Sequence, residues 1–182
     1  GLTPEDELKS LRLIRRLAGA LPLRLVPTWL GAHEIPLEFR NRSKGRSEYV
    51  ELLVSTMLPG VVSEGLARFA DVFCEPGVFT IDESRTILTA ARSAGLGLKL
   101  PADELRPSGG AELAAEIGAT SADHLAAISE SGIRVLAESN TVATLLPGTM
   151  LFLGKDKQAP ARALIDAGAA VALASDFNPG TS

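Results

Sequence analysis

The sequence predicts an α/β protein of about six parallel strands with covering helices. Three observations predict it. From residue 71 onward, short apolar runs alternate with helix-patterned stretches, the runs are apolar on both faces, and capping or turn residues separate them. Strands that feed helices in this way form either an open sheet or part of a (β/α)8 barrel, a fold of eight strands and typically about 250 residues. The chain has 182 residues, 46% hydrophobic and 22% charged, a balance that suits a globular protein with a sizeable core.

Each element has its own signal. Thr3-Pro4-Glu5-Asp6 sets a capping residue, a first-turn proline and acids at a helix start, and Leu8, Leu11, Ile14 and Leu17 continue it to Gly19. LPLRLVPTWLG (21–31) is β-like and apolar, and a polar loop follows. Residues 48–69 read as helix in two pieces, broken at Pro59-Gly60. DVFCE (71–75) is a short buried strand. Thr80-Ile81-Asp82-Glu83 is a capping box for a helix that ends near Gly95. LGLKL (96–100), TSADHL (120–125), TVATLLP (141–147) and AAVALASD (169–176) are the remaining strands. Helices over 110–117, 130–138 and 159–167 lie between them. No repeat, low-complexity segment or interdomain linker interrupts the series, so residues 1–182 read as a single domain.

Composition narrows the function. The net charge is −4, and outside the stretch with Arg40, Arg42, Lys44 and Arg46, read as a solvated loop, the basic residues do not cluster. A nucleic-acid partner is therefore not expected. One cysteine permits no internal disulfide and fits a reducing compartment. No apolar run is long enough to span a bilayer, and the acidic, polar start is not a secretory signal. A cytoplasmic protein with no membrane partner is the expectation.

The polar residues fall in a pattern. His33, Glu75, Asp103, Glu104, His124 and Asp176 all follow apolar runs, at the carboxyl ends of successive strands where parallel α/β folds build their sites. Both histidines of the chain lie there. Asp176 reads equally as a helix N-cap or as a metal-binding or basic carboxylate, with Asn178 nearby to hold a substrate carboxylate. Cys74 reads as a small buried residue, and Glu75 either orients a neighbour or pairs with Lys99.

The motifs TWLGAHEIP (28–36), DVFCEPGVFT (71–80), GLKLPADEL (97–105), GGAELAAEIGATSADHL (109–125), TVATLLPGT (141–149) and ALASDFNPGTS (172–182) resemble, in order, those of imidazolonepropionase, the amidohydrolase of histidine degradation. The resemblance implies barrel strands three to eight of an incomplete (β/α)8 amidohydrolase domain, usually dimeric, with Zn or Fe. It implies ring opening of 4-imidazolone-5-propanoate, a small-molecule substrate, by water to N-formimidoyl-L-glutamate. By the same resemblance, Asp176 matches a metal-ligand aspartate, and His124 the strand-six histidine placed for catalysis. Glu104 matches a substrate-contacting acid with a catalytic part. His33 matches a substrate-binding histidine, and Asn178, Gly180 and Thr181 the loop that holds a carboxylate.

Two departures follow. The family's strand-one His-x-His pair is absent from the sequence, and Pro101 stands where the family has a histidine ligand. Of four metal ligands, Asp176 alone is matched, whereas catalytic zinc sites use about three protein ligands. The expectation is a chain that keeps no metal, is inactive by itself, and self-associates through exposed sheet edges. A different class stands beside it: a non-catalytic α/β module with a carboxylate-binding loop. A doubly wound nucleotide-binding sheet ranks last, since no Gly-rich phosphate loop joins a strand to a helix.

Overall fold

The computed structural model describes residues 1–180 and divides the chain into two compact units. Thr181, one of the candidate carboxylate contacts, lies outside the described residues.

The first unit holds residues 1–73 and 82–98. Its first helix, α1 (Pro4–Ala20), starts as the capping signal requires: the Thr3 hydroxyl oxygen accepts the Asp6 N–H at 3.2 Å. Strand β1 (Thr28–Ala32) pairs in parallel with β2 (Phe69–Val72), with Thr28 opposite Phe69. Between them run α2 (Leu37–Arg40), α3 (Gly45–Leu52), a π turn (Leu53–Met57) and α4 (Leu58–Ser63). The unit's core is Leu11, Trp29, Tyr49, Leu53, Met57, Val61, Ile87 and Leu88, the last two from α5 (Ile81–Ser93). The Tyr49 hydroxyl reaches the carbonyl oxygens of Gly31 at 3.0 Å and Leu2 at 3.1 Å, and burial pushes its phenol up.

Two sequence expectations change here. The helix is not broken at Pro59-Gly60. The π turn precedes Pro59, the Leu58 N–H donates to Leu53, and Pro59 sits in the first turn of α4, where its missing N–H costs nothing. Nor is the basic stretch simply a solvated loop. Arg40, Arg42 and Arg46 pair with Glu34, Glu48 and Glu83 at 2.7, 2.6 and 2.5 Å.

The second unit holds residues 74–81 and those from Lys99 onward. Strand β3 (Gly97–Ala102) pairs in parallel with β4 (Ser121–His124), β4 with β5 (Val142–Leu145), and β5 with β6 (Val171–Leu173). Helices α6 (Gly110–Glu116), α7 (Glu130–Ala137) and α9 (Ala161–Asp166) alternate with the strands. An unforeseen short helix, α8 (Pro147–Phe152), follows β5. Leu100, Ala102, Ala122, Ala143, Leu113 and Leu136 are buried between strands and helices, which is why these strands read as continuously apolar. In β6, by contrast, Leu173 is 74% exposed. No helix among the described residues is long and apolar enough to cross a membrane.

Candidate active site

In the second unit the chemistry gathers where strands end, and the backbone there is unusual. Four non-glycine residues of the described chain have positive φ: Asp103 at 48°, His124 at 73°, Leu125 at 61° and Asp176 at 52°. Such conformations cost roughly 1–3 kcal/mol each and persist where the surroundings enforce them. Each follows or ends β3, β4 or β6.

The β3 end shows what enforces them. The Asp103 carboxylate accepts the N–H groups of Ser108, Gly109, Gly110 and Ala111 and the Ser108 hydroxyl, at 2.6–3.4 Å, so it caps the start of α6 across its own loop. Gly110 is required where the helix meets the strand, since a Cβ there would lie 2.7 Å from the Ala102 Cβ. From the segment after β2, the buried Glu75 accepts the N–H groups of Glu104 at 3.1 Å, Leu105 at 3.3 Å and Arg106 at 3.0 Å. Of the two readings of Glu75, the structure establishes the orienting one. Burial raises the Glu75 pKa, and these N–H groups partly offset it.

Glu104 is thus fixed by its backbone, with its carboxyl buried. Burial, then the charges of Glu75 and Asp176, push it up to about 7. The buried His124, at the end of β4, brings its Nδ1 to 3.6 Å from the Glu104 Oε2. Asp176, beyond β6, accepts the hydroxyl of the buried Thr149 at 2.6 Å. A carboxyl that changes charge near neutrality beside an imidazole can take up or release a proton at neutral pH. Glu104, His124 and Asp176 therefore share one unit and one set of strand ends.

The other candidates lie differently. The Asn178 amide donates to the Asp176 carbonyl at 2.7 Å and accepts the Gly180 N–H at 2.7 Å, so both groups are engaged inside their own turn. His33 belongs to the first unit, where its Nε2 lies 3.2 Å from the Asp71 carboxylate and its ring stands 6.1 Å from that of Phe73. Cys74 is buried, as read. Thr149 was missed in the sequence, although a polar residue in the first turn after a strand and proline was its signal. Asp71 was missed too, at the head of DVFCE.

The donor set does not fit a metal. Pro101 lies in the middle of the β3–β4 ladder, opposite Asp123, and its carbonyl accepts the Cys74 N–H at 3.1 Å. Its ring has no lone pair to offer. Among the described residues, no three His, Cys, Asp or Glu side chains are grouped so that they could hold an ion.

No family model matches the chain. Over all of its residues the chain is 54% identical to an imidazolonepropionase of Symbiobacterium thermophilum. It is 50% identical to that of Bacillus cytotoxicus and 53% to that of Porphyromonas gingivalis. It spans 42% of the length of each of these relatives. Among solved structures, guanine deaminase from C. acetobutylicum with bound guanine aligns over 97% of this chain and 44% of its own, with a TM-score of 0.66 at 12% identity. A triazine hydrolase aligns over 92% of this chain and 41% of its own, with a TM-score of 0.61 at 16% identity. A zinc-bound adenosine deaminase from Xanthomonas campestris aligns over 72% and 33%, with a TM-score of 0.50 at 16% identity. At such identities the likeness is one of fold.

Proposed function

We propose that this chain, by sequence a homologue of part of imidazolonepropionase, carries the proton-handling strand ends of an imidazolonepropionase-type hydrolase and turns over no substrate by itself. The observation that supports the reading is the buried Glu104, pushed up to about 7, with the His124 Nδ1 3.6 Å away. In the reaction the relatives' name implies, water oxygen bonds to the lactam carbonyl carbon of 4-imidazolone-5-propanoate. The ring carbon–nitrogen bond breaks, the nitrogen leaves with a proton, and the product is N-formimidoyl-L-glutamate. Glu104 and His124 are the groups for the proton transfers, because one titrates near neutrality and the other is an imidazole. Thr149 fixes the Asp176 carboxylate beside them. His33, Asn178, Gly180 and Thr181 are the proposed substrate contacts.

Zinc or iron would supply an activated water in such a site. With Pro101 in the ladder and only Asp176 matched, the chain's own residues do not compose that site, and no step is routed through it. By the same resemblance the chain is proposed as strands three to eight of one barrel domain, of a protein type that acts on a small molecule in the cytoplasm as a homodimer.

The test is metal analysis and a turnover assay on the purified chain, with His124 ring resonances followed by NMR. We expect no stoichiometric metal, no turnover, and saturable shifts of His124 on adding 4-imidazolone-5-propanoate. Metal with turnover overturns the inactivity, and a silent His124 overturns the site. Pro101 and the exposed Leu173 and Phe177 also support a second reading, a non-catalytic module that self-associates. Concentration-dependent assembly on sedimentation, lost in Leu173→Lys, would favour it.

A further inference from the structure

Beside Glu104 the second unit has a cavity of about 500 Å³. Its floor is the buried Ala126, Ala127 and Met150, and its rim carries Arg106, Lys155 and Lys157, with Asp156 between the lysines. None of the three cationic side chains enters an ion pair or hydrogen bond among the described residues. In the first unit, by contrast, Arg12, Arg40, Arg42 and Arg46 each have a carboxylate partner. Three basic side chains against two acids, Glu104 and Asp156, line this one concavity and leave its rim net positive. Such a rim attracts anions. In the loop proposed to hold a carboxylate, the Gly180 N–H is given to the Asn178 side chain.

We propose that Arg106, Lys155 and Lys157 form an anion-binding rim beside Glu104 that recognises the carboxylates of small mono- and dicarboxylate ligands. The proposal rests on the hydrolase reading only for the ligand's identity. If that reading holds, the substrate arrives with one carboxylate. The opened lactam carbonyl becomes a second, formed near Glu104, and the rim receives and balances negative charge on the side where it develops. Guanidinium and ammonium groups suit this work, one by its fork of donors and the others as point charges.

The probe is glutarate, added to the isotopically labelled purified chain at low ionic strength, with the uncharged glutaramide as its control. Saturable shifts are expected at the amides of Leu105, Arg106 and residues 155–157 with glutarate, and none with glutaramide. Raising salt from about 20 to about 200 mM weakens the binding several-fold, because exposed charges are screened over a shorter distance. The combined variant Arg106→Gln, Lys155→Gln, Lys157→Gln loses about tenfold or more in affinity. A control with Lys9→Gln and Arg16→Gln, exposed cations of the first unit, keeps it. Equal binding by the triple variant, equal response to glutaramide, or no saturation overturns the rim. Glutarate binding with a His124 silent toward the imidazolone keeps the rim and rejects the hydrolase site. The reverse pair of results does the opposite.

Discussion

Replacing Glu75 by Gln probes how the chain sets both the place and the charge of Glu104. The carboxylate of Glu75 is 2% exposed and accepts three backbone N–H groups, one through Oε2 and two through Oε1. A glutamine whose oxygen keeps Leu105 and Arg106 turns its NH2 toward the Glu104 N–H, donor against donor. That group lies in a buried residue, so its loss costs about 1–3 kcal/mol. The charge acts in the other direction. Glu104 titrates at about 7 in the folded chain instead of 4.5, so the fold binds the extra proton between those values. Its stability is full below about 4.5 and falls as pH rises through 7, by up to about 3 kcal/mol in all. Burial is the largest cause of that, and the Glu75 charge the next. Glu75 itself, raised by burial, falls away with pH in the same sense. Urea unfolding at several pH values should therefore show Glu75→Gln weakest relative to the parent near pH 5, with the gap narrowing by pH 8. The Glu104 amide should exchange at least about tenfold faster in the variant. Parallel stability curves with unchanged exchange at 104–106 would refute the reasoning.

Three other outcomes are expected. Asp103→Ala, which removes five accepted hydrogen bonds and leaves a Cβ at φ 48°, should cost about 2 kcal/mol or more by denaturant titration. Asp103→Asn, more tolerant of that φ, should cost less. Gly45→Ala would set a Cβ 1.7 Å from the Phe39 carbonyl oxygen and should lower stability by more than about 3 kcal/mol, whereas Gly19→Ala, in α1 with nothing within 4 Å, should raise it by about 0.5–1 kcal/mol. Pro101→His adds one histidine to a chain in which Asp176 alone matches the family's ligands, so titration with zinc should still show no stoichiometric binding; a bound equivalent would mean that other residues complete the site.

Strand–helix alternation was legible because β3, β4 and β5 bury most of their residues and so read as unbroken apolar runs, and β6 carries the same residue types although Leu173 is exposed. The placing of Glu104, His124 and Asp176 at strand ends followed from that count. What holds them was not legible. Glu75 acts on backbone N–H groups some thirty residues away, and backbone acceptance leaves no mark on the identities of Leu105 or Arg106. Asp103 looked like half of an acidic pair until its carboxylate was found turned onto the start of α6. Pro147 was read as the end of a strand, although proline at a helix's first position is the commoner meaning. Asn178 and Gly180 carry the residue types of an anion loop, and the same types close a turn on themselves. The rim of Arg106, Lys155 and Lys157 joins positions about fifty apart, and only the fold makes them neighbours.

The π turn at Leu53–Met57 bears on how this chain tolerates change in length. Tyr49, Leu53, Met57 and Val61 are all fully buried at four-residue steps. In an α-helix of 3.6 residues per turn, each such step drifts by about 40°, and three steps carry a side chain about a third of the way round the axis. The wider turn takes up that drift, so an interval of four, neither the helical nor the strand period, stays in phase with one core. One residue fewer between Tyr49 and Val61 would leave eleven steps of ordinary helix, within about 20° of three full turns, so Val61 would stay on the face it now fills. A deletion here removes the wide turn and keeps the phase, and the four-residue rhythm is the sequence signature of the residue it accommodates.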